Sequence, residues 1–242
     1  MTLQETIEKQ GNFLFKYRSY LPILLLLVGF WVYAQNSTND WTILQSIALL
    51  TSLFGLFIRV ITVGYTPANT SGRNTKTQVA DFLNTSGLYS IVRHPLYLGN
   101  FFMYLGIAIL TNNIYFILVF VLVFCLYYER IMLAEEAFLR QKFGATYSKW
   151  AENRPSFVPN FSTFEAPNLS FSWKKVLKKE KNGFVAVFFT FFLFQYLGNY
   201  IKTQSLAIPN NWLTYVTILS VIIYLVLKFI KKRTDLLDEK GR

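Results

Sequence analysis

Residues 95–128 read PLYLGNFFMYLGIAILTNNIYFILVFVLVFCLYY and contain no charged side chain. Two apolar runs, 95–110 and 114–128, flank the polar turn Thr111-Asn112-Asn113. Crossing a bilayer core takes roughly 20 apolar residues in a helix. The stretch therefore reads as a hairpin of two short membrane spans that tilt or are partly buried. The same pattern recurs on either side. Residues 20–34 form an almost unbroken apolar run with residues 13–15 leading in. Residues 41–65 are interrupted only by Arg59, and runs at 184–200 and 212–230 form a second pair. The expected fold is an all-α integral membrane protein with about six transmembrane helices.

The composition agrees. Of 242 residues, 53% are hydrophobic and 15% charged, against about a quarter charged in a soluble domain. The formal charge of +11 would suit nucleic acid in another context. Here the cations alternate between loops, as the positive-inside bias requires. Lys9, Lys16 and Arg18 precede the first run, while the loop 35–40 has no basic residue. Arg73, Lys76 and Arg93 follow the second run, and the turn at Asn112 has none. Arg140, Lys142, Lys149, Arg154 and the run 174–181 come next, then Lys202 alone, then the basic tail after Lys228. Both termini and both long loops are expected in the cytoplasm, with no nucleic-acid partner. The single Cys125 excludes an internal disulfide and reads as a packing residue within a span. Residues 10–17 are too polar for a cleavable signal peptide.

Chemistry is expected in the two long loops. Residues 64–76 are rich in Gly, Pro, Asn, Ser and Thr and carry Arg73 and Lys76. They read either as a solvated connector or as a site for an anionic group. His94 is the only histidine in the chain, set between Arg93 and Pro95. Proline disfavours helix at the residue before it and suits the first turn of the helix that follows. Arg93 and His94 are thus expected at a helix N-terminus, which attracts anions, whether from a bound ligand or from lipid phosphates. Residues 127–143 have the spacing of a helix leaving the membrane, with Gly144 as its stop. Glu136 has Arg140 four residues on, an ordinary surface pair. Glu135 has only apolar neighbours at that spacing. It requires water, a distant arginine or a ligand.

These residues carry a resemblance. Gly87-x-Tyr89-x-x-Val92-Arg93-His94-Pro95-x-Tyr97-x-Gly99, then Glu135-Glu136, then Phe143-Gly144-x-x-Tyr147, then Pro155 and Pro159 resemble the isoprenylcysteine carboxyl methyltransferase superfamily, which includes phospholipid methyltransferases. The likeness covers about a third of the chain, residues 83–160. It implies a membrane enzyme binding S-adenosylmethionine between the Arg-His-Pro box and the helix with the paired glutamates. Tyr89, His94, Pro95, Leu96 and Tyr97 would line the cofactor pocket with Leu83 and Asn84 near it, and Glu135 would hold the cofactor. Arg93, His94 and Glu135 are then the candidate catalytic residues. In the isoprenylcysteine enzymes an arginine thought to contact substrate lies a few residues before the glutamate pair; here that position is near Ile131, with Arg130 beside it. The run Tyr65-Thr66-Pro67-x-Asn69-Thr70-Ser71-Gly72-Arg73-Asn74-Thr75 is similar to a bacterial subgroup that includes lipid A 1-phosphate methyltransferases. That implies an inner-membrane location and a lipid phosphate bound by Arg59, Arg73 and Lys76.

The implied division is 1–65 for two N-terminal helices, 66–161 for the cofactor-binding core, 162–183 for a basic linker and 184–242 for a C-terminal hairpin with a basic tail. An anionic acceptor needs no general base, only positioning and removal of water. An amine or hydroxyl needs a base, for which His94 and Glu135 are the nearby candidates. No metal-ligand pattern is evident, and oligomeric state stays open. A sterol-reductase-like oxidoreductase and a non-catalytic membrane protein are the rival readings.

Overall fold

A computed structural model describes residues 2–36, 43–70 and 78–242. All regular structure among them is helical. In chain order the helices are α1 (Leu3–Tyr17), α2 (Leu21–Asn36), α3 (Ile43–Gly64), α4 (Pro95–Leu110), α5 (Ile114–Phe143), α6 (Ala145–Ala151), α7 (Trp173–Thr203) and α8 (Trp212–Arg233). Four of them, α3, α5, α7 and α8, are long and apolar enough to cross a membrane. The apolar parts of α2 and α4 are shorter. At 1.5 Å per residue the 30-residue α5 is about 45 Å long. It is longer than the roughly 30 Å hydrocarbon core is thick.

Local chemistry sets the helix ends. Asn113 accepts from the Phe116 amide at 3.0 Å and starts α5. Asn112 takes φ 52°, a conformation asparagine tolerates, and closes the α4–α5 turn. Gly144 at φ 55°, ψ −129° ends α5 and turns the chain into α6. That turn buries Tyr147 and Trp150 with Leu83 and Tyr89 packed against them.

α3 packs along α4 and against α7, which pairs with α8. The α3–α4 seam is made of small residues, as membrane helix contacts favour. A Cβ at Gly106 would sit 2.1 Å from Ser52 Oγ and 2.3 Å from the Ala48 carbonyl. Ser52 donates to the Met103 carbonyl at 2.9 Å across the same seam. α1 lies against α5, where a Cβ at Gly11 would meet the Arg130 carbonyl at 2.0 Å.

Helix α7 starts at Trp173, capped by Ser172, whose side chain accepts from the Lys175 amide. The basic run 174–181 is therefore part of this helix, well before the apolar stretch at 184. Two residues explain the early start. Lys175 turns inward and donates to the Thr66 and Pro67 carbonyls at 2.6 and 2.9 Å, closing the C-terminal end of α3. Glu180 turns inward to meet Arg59. Cys125 faces outward from α5 instead of packing inside, on a helix side lined by exposed Leu122 and Leu126.

Candidate functional site

A cavity of about 750 Å³ opens among α1–α5 and α7, within the roughly 300–1,000 Å³ usual for small-molecule sites. One end is polar and aromatic, with Asn84, Tyr89, His94, Tyr97 and Glu135 on its wall. The other end is apolar and runs between Leu25, Leu26, Ile107, Phe116 and Phe120.

The polar end is organised by the residues just before α4. Gly87 takes φ 62°, and a short 3-10 turn, Gly87–Ser90, presents Tyr89. His94 then caps α4 with Pro95 in the first turn, as the proline predicts. An extended segment braces this box from behind. The Arg93 amide donates to the Pro155 carbonyl at 2.9 Å and the His94 amide to the Ser156 carbonyl at 3.2 Å. The Asn160 amide returns to the Ile91 carbonyl at 2.9 Å, and the Glu165 amide donates to Ser90 Oγ at 2.8 Å. This pairing gives Pro155 and Pro159 their place beside the box.

Both nitrogens of the His94 ring face carboxylates. Nε2 lies 3.0 Å from Glu136 and Nδ1 lies 3.6 Å from Glu135. Glu136 also pairs with Arg93 at 3.1 Å. The expected surface pair of Glu136 with Arg140 is thus replaced by a buried one, because the box is brought onto this side of α5. Burial alone pulls the imidazole toward neutrality. The hydrogen bonds and charges of Glu135 and Glu136 outweigh it and raise the His94 pKa above its ordinary value. The imidazole ring stacks on Tyr97, with centroids 5.6 Å apart and planes 18° apart. Tyr97 in turn meets the Glu135 carboxylate. Burial, then the nearby Glu135 charge, push the Tyr89 phenol above its usual range, so it stays neutral.

The raised histidine has a measurable consequence. Stabilisation from the imidazolium between its two carboxylates is complete below the unfolded-state value of about 6.5. It is lost as pH rises through the higher folded value. The melting temperature is expected to fall over the interval between those two values, and the fall should be missing in His94→Gln when both are unfolded thermally in neutral detergent.

Most sequence-predicted site residues come together. Leu83, Asn84, Tyr89, Leu96, Tyr97, Arg93, His94, Glu135 and Arg59 all line the cavity. Pro95 is buried behind the wall as the first residue of α4. Arg130 lies elsewhere: its guanidinium donates to Gln10 Oε1 at 3.1 Å and to the Leu126 carbonyl at 2.8 Å. The reason is helical geometry, since Arg130 is on the face of α5 that packs against α1. Arg59 is held at 2.9 and 2.8 Å by both oxygens of Glu180 and gives a third bond to Asn100 at 2.7 Å. Arg73 and Lys76 lie outside the described residues. The lining residues not anticipated include Glu180, Trp150 and Arg18. A sole carboxylate within the basic run 174–181, and Arg59 stranded in an apolar run, are the signals that point to Glu180.

The wall fits a cationic, polar cofactor such as S-adenosylmethionine. Arg93 Nε and Trp150 Nε1 are buried donors with no hydrogen-bond partner among the described residues. Buried donors are rarely left so, and a ligand with carboxylate, ribose and adenine acceptors would satisfy them. The Tyr89 and Tyr97 faces suit a cation, and Glu135 suits ribose hydroxyls or an ammonium.

The chain is also similar to proteins named as methyltransferases. The sequence model of the phospholipid methyltransferases matches residues 46–146. Over 129 residues the chain is 30% identical to the cobalt-zinc-cadmium resistance protein CzcN of Cupriavidus metallidurans, covering 53% of this chain and 57% of that one. Over 77 residues it is 38% identical to the protein-S-isoprenylcysteine O-methyltransferase of Schizosaccharomyces pombe, covering 32% and 33%. A second such enzyme, protein-S-isoprenylcysteine O-methyltransferase B of Arabidopsis thaliana, is 34% identical over 77 residues, covering 32% and 39%. The chain thus matches less than two thirds of the length of each of these relatives. No solved structure gives a significant match. The matched stretch contains the box, both glutamates and the seam of α3 with α4, and with four apolar helices long enough to span a bilayer the chain is an integral membrane protein whose residues 46–146 match the phospholipid methyltransferase family model and are similar to isoprenylcysteine O-methyltransferases.

Proposed function

We propose that this protein is an S-adenosylmethionine-dependent methyltransferase acting on an oxyanion carried by a membrane lipid. The observation that carries this reading is one continuous cavity, polar and aromatic around His94 and Glu135 and lined by apolar residues toward α2 and Phe120. Its polar end suits the cofactor, and its apolar end suits a lipid chain. S-adenosylmethionine, when bound, supplies a methyl group on a cationic sulfur that an incoming lone pair displaces.

The chain's own side chains do the rest. Glu135 and the paired aromatic faces orient the cofactor. Leu96, Phe138 and Leu139 on the wall exclude water from the acceptor. His94 has a carboxylate at each ring nitrogen, which leaves no lone pair to take a proton. An acceptor that arrives already ionised, a phosphate or carboxylate, is therefore favoured over an amine. Lipid A 1-phosphate is the acceptor favoured by the likeness of residues 65–75. The alternating loop charges support a site on the cytoplasmic face, and the likeness of residues 65–75 supports a bacterial inner membrane.

The test uses purified protein in vesicles of bacterial lipid extract, with S-adenosylmethionine labelled in its methyl group. Label is expected in an acidic lipid. Mild alkali should leave a methyl phosphate intact and release labelled methanol from a carboxyl ester. No lipid label, with cofactor binding intact, would move the acceptor to a protein or small molecule. No cofactor binding would overturn the reading.

A further inference from the structure

One wall of the cavity is not helical. Asn69 and Thr70, just beyond α3, and most of residues 78–84 line it without regular secondary structure. Asn84 meets Tyr89, which puts this wall at the polar end. The Asp81 amide donates to the Asn69 carbonyl at 3.4 Å, so the two pieces touch. Irregular chain with few packed contacts opens locally far more easily than the helices around it. The wall therefore depends on what holds it from outside. Gln78 donates to Asn12 of α1 at 3.3 Å, and Lys175 of α7 holds the Thr66 and Pro67 carbonyls. The segment after α8 closes over the same residues.

Thr234 is extended, at φ −143° and ψ 161°, and ends α8. The chain then returns to the first turns of α7 and the end of α3. Leu237 is buried. Asp238 pairs with Lys178, and Glu239 accepts from Ser172 Oγ. The Gly241 carbonyl accepts from the Ala68 amide at 3.0 Å. Arg242 donates to the Gly64 and Thr66 carbonyls at 3.3 Å each, and to the Ser170 carbonyl. Gly241 takes φ 80°, which glycine adopts freely, and so sets the Ala68 and Arg242 contacts side by side. The carbonyls at the end of a helix lack partners within it, and a charged donor satisfies them more strongly than a neutral one. The exposed Lys178–Asp238 pair contributes little. The seat rests on Leu237, Gly241 and Arg242. Their contacts end at Ala68, one residue before Asn69 on the cavity wall.

We infer that residues 234–242 are a strap on the polar end of the cavity. Seated, they hold residues 64–70 as a wall. Unseated, they free that wall and let a bound ligand exchange with water. Arg242 is a positioning residue: it acts through the carbonyls it holds and touches no ligand. The inference rests on the methyltransferase reading only for the identity of the ligand that exchanges. Its test has two readouts in neutral detergent, one of them free of any ligand. Thr70→Cys in a Cys125→Ala background places one thiol on the wall, and its rate of reaction with a water-soluble maleimide reports opening. The association and dissociation rates of S-adenosylmethionine, measured by rapid mixing, report exchange.

Adding Arg242→Ala should speed the labelling by about ten- to a hundredfold, the scale of a lost hydrogen bond from a charged group. Arg242→Lys should speed it less. Hydrogen exchange in α6, which borders the same polar end through Trp150, should stay as in wild type, because the strap acts on one wall and not on the whole bundle. Both S-adenosylmethionine rates should rise together in Arg242→Ala, so that affinity changes less than either rate. A merely structural loss would instead lower affinity and melting temperature together. Unchanged labelling in Arg242→Ala would overturn the inference. So would faster labelling accompanied by faster exchange in α6, or faster labelling with the dissociation rate unchanged. A wild type that binds no S-adenosylmethionine, with Arg242-dependent labelling intact, would overturn the enzyme reading and leave the strap standing.

Discussion

Glu180→Ala is expected to destabilise the protein by about 3–5 kcal/mol, the cost of leaving a buried charge without its partner. Arg59 gives both Nε and Nη2 to the Glu180 carboxylate, and the two side chains are 16% and 5% exposed. The pair ties α3 to α7 inside the bundle, where an unpaired ion is costly. Arg59→Met combined with Glu180→Leu should recover most of the loss, since apolar replacement of a whole buried pair is often neutral. Thermal unfolding of Arg59→Met, Glu180→Leu and the double variant in one detergent gives the coupling directly. Two additive single losses would mean that the pair is not the tie between these helices.

Glu135→Gln is expected to leave the fold in place and weaken S-adenosylmethionine by about ten- to a hundredfold, the range for a lost hydrogen bond to a charged group. Glu136→Gln should behave in the opposite way. Its carboxylate holds Arg93 and His94, so its loss should loosen the box and lower the melting temperature first. The two neighbours differ because adjacent helical positions face different directions. Glu136 is buried against the box, whereas the Glu135 side chain is 31% exposed on the cavity wall.

The spans and the box were legible in the sequence because their signals are local. Apolar runs announce helices, Pro95 announces a helix start at His94, and a carboxylate with only apolar neighbours announces that Glu135 has business elsewhere. What the sequence hid depends on partners far along the chain. Glu136 has a plausible partner in Arg140 one turn away, and that local pairing concealed its true partners 42 and more positions back. Arg59 and Glu180 stand 121 positions apart, and the lysines around Glu180 made it look like part of a solvated basic stretch. Arg18 looked like ordinary interfacial charge; only the packing of α1 on α5 brings it to the cavity. Arg130 is the reverse case, a residue adjacent to the right position but rotated onto the wrong face.

The measurement that bears most directly on the proposed activity is equilibrium binding of S-adenosylmethionine to the purified protein in neutral detergent, wild type beside Glu135→Gln. Saturable one-site binding by wild type, weakened in a variant that unfolds at the wild-type temperature, is the expected result. A wild-type protein that is folded and binds no S-adenosylmethionine would contradict it.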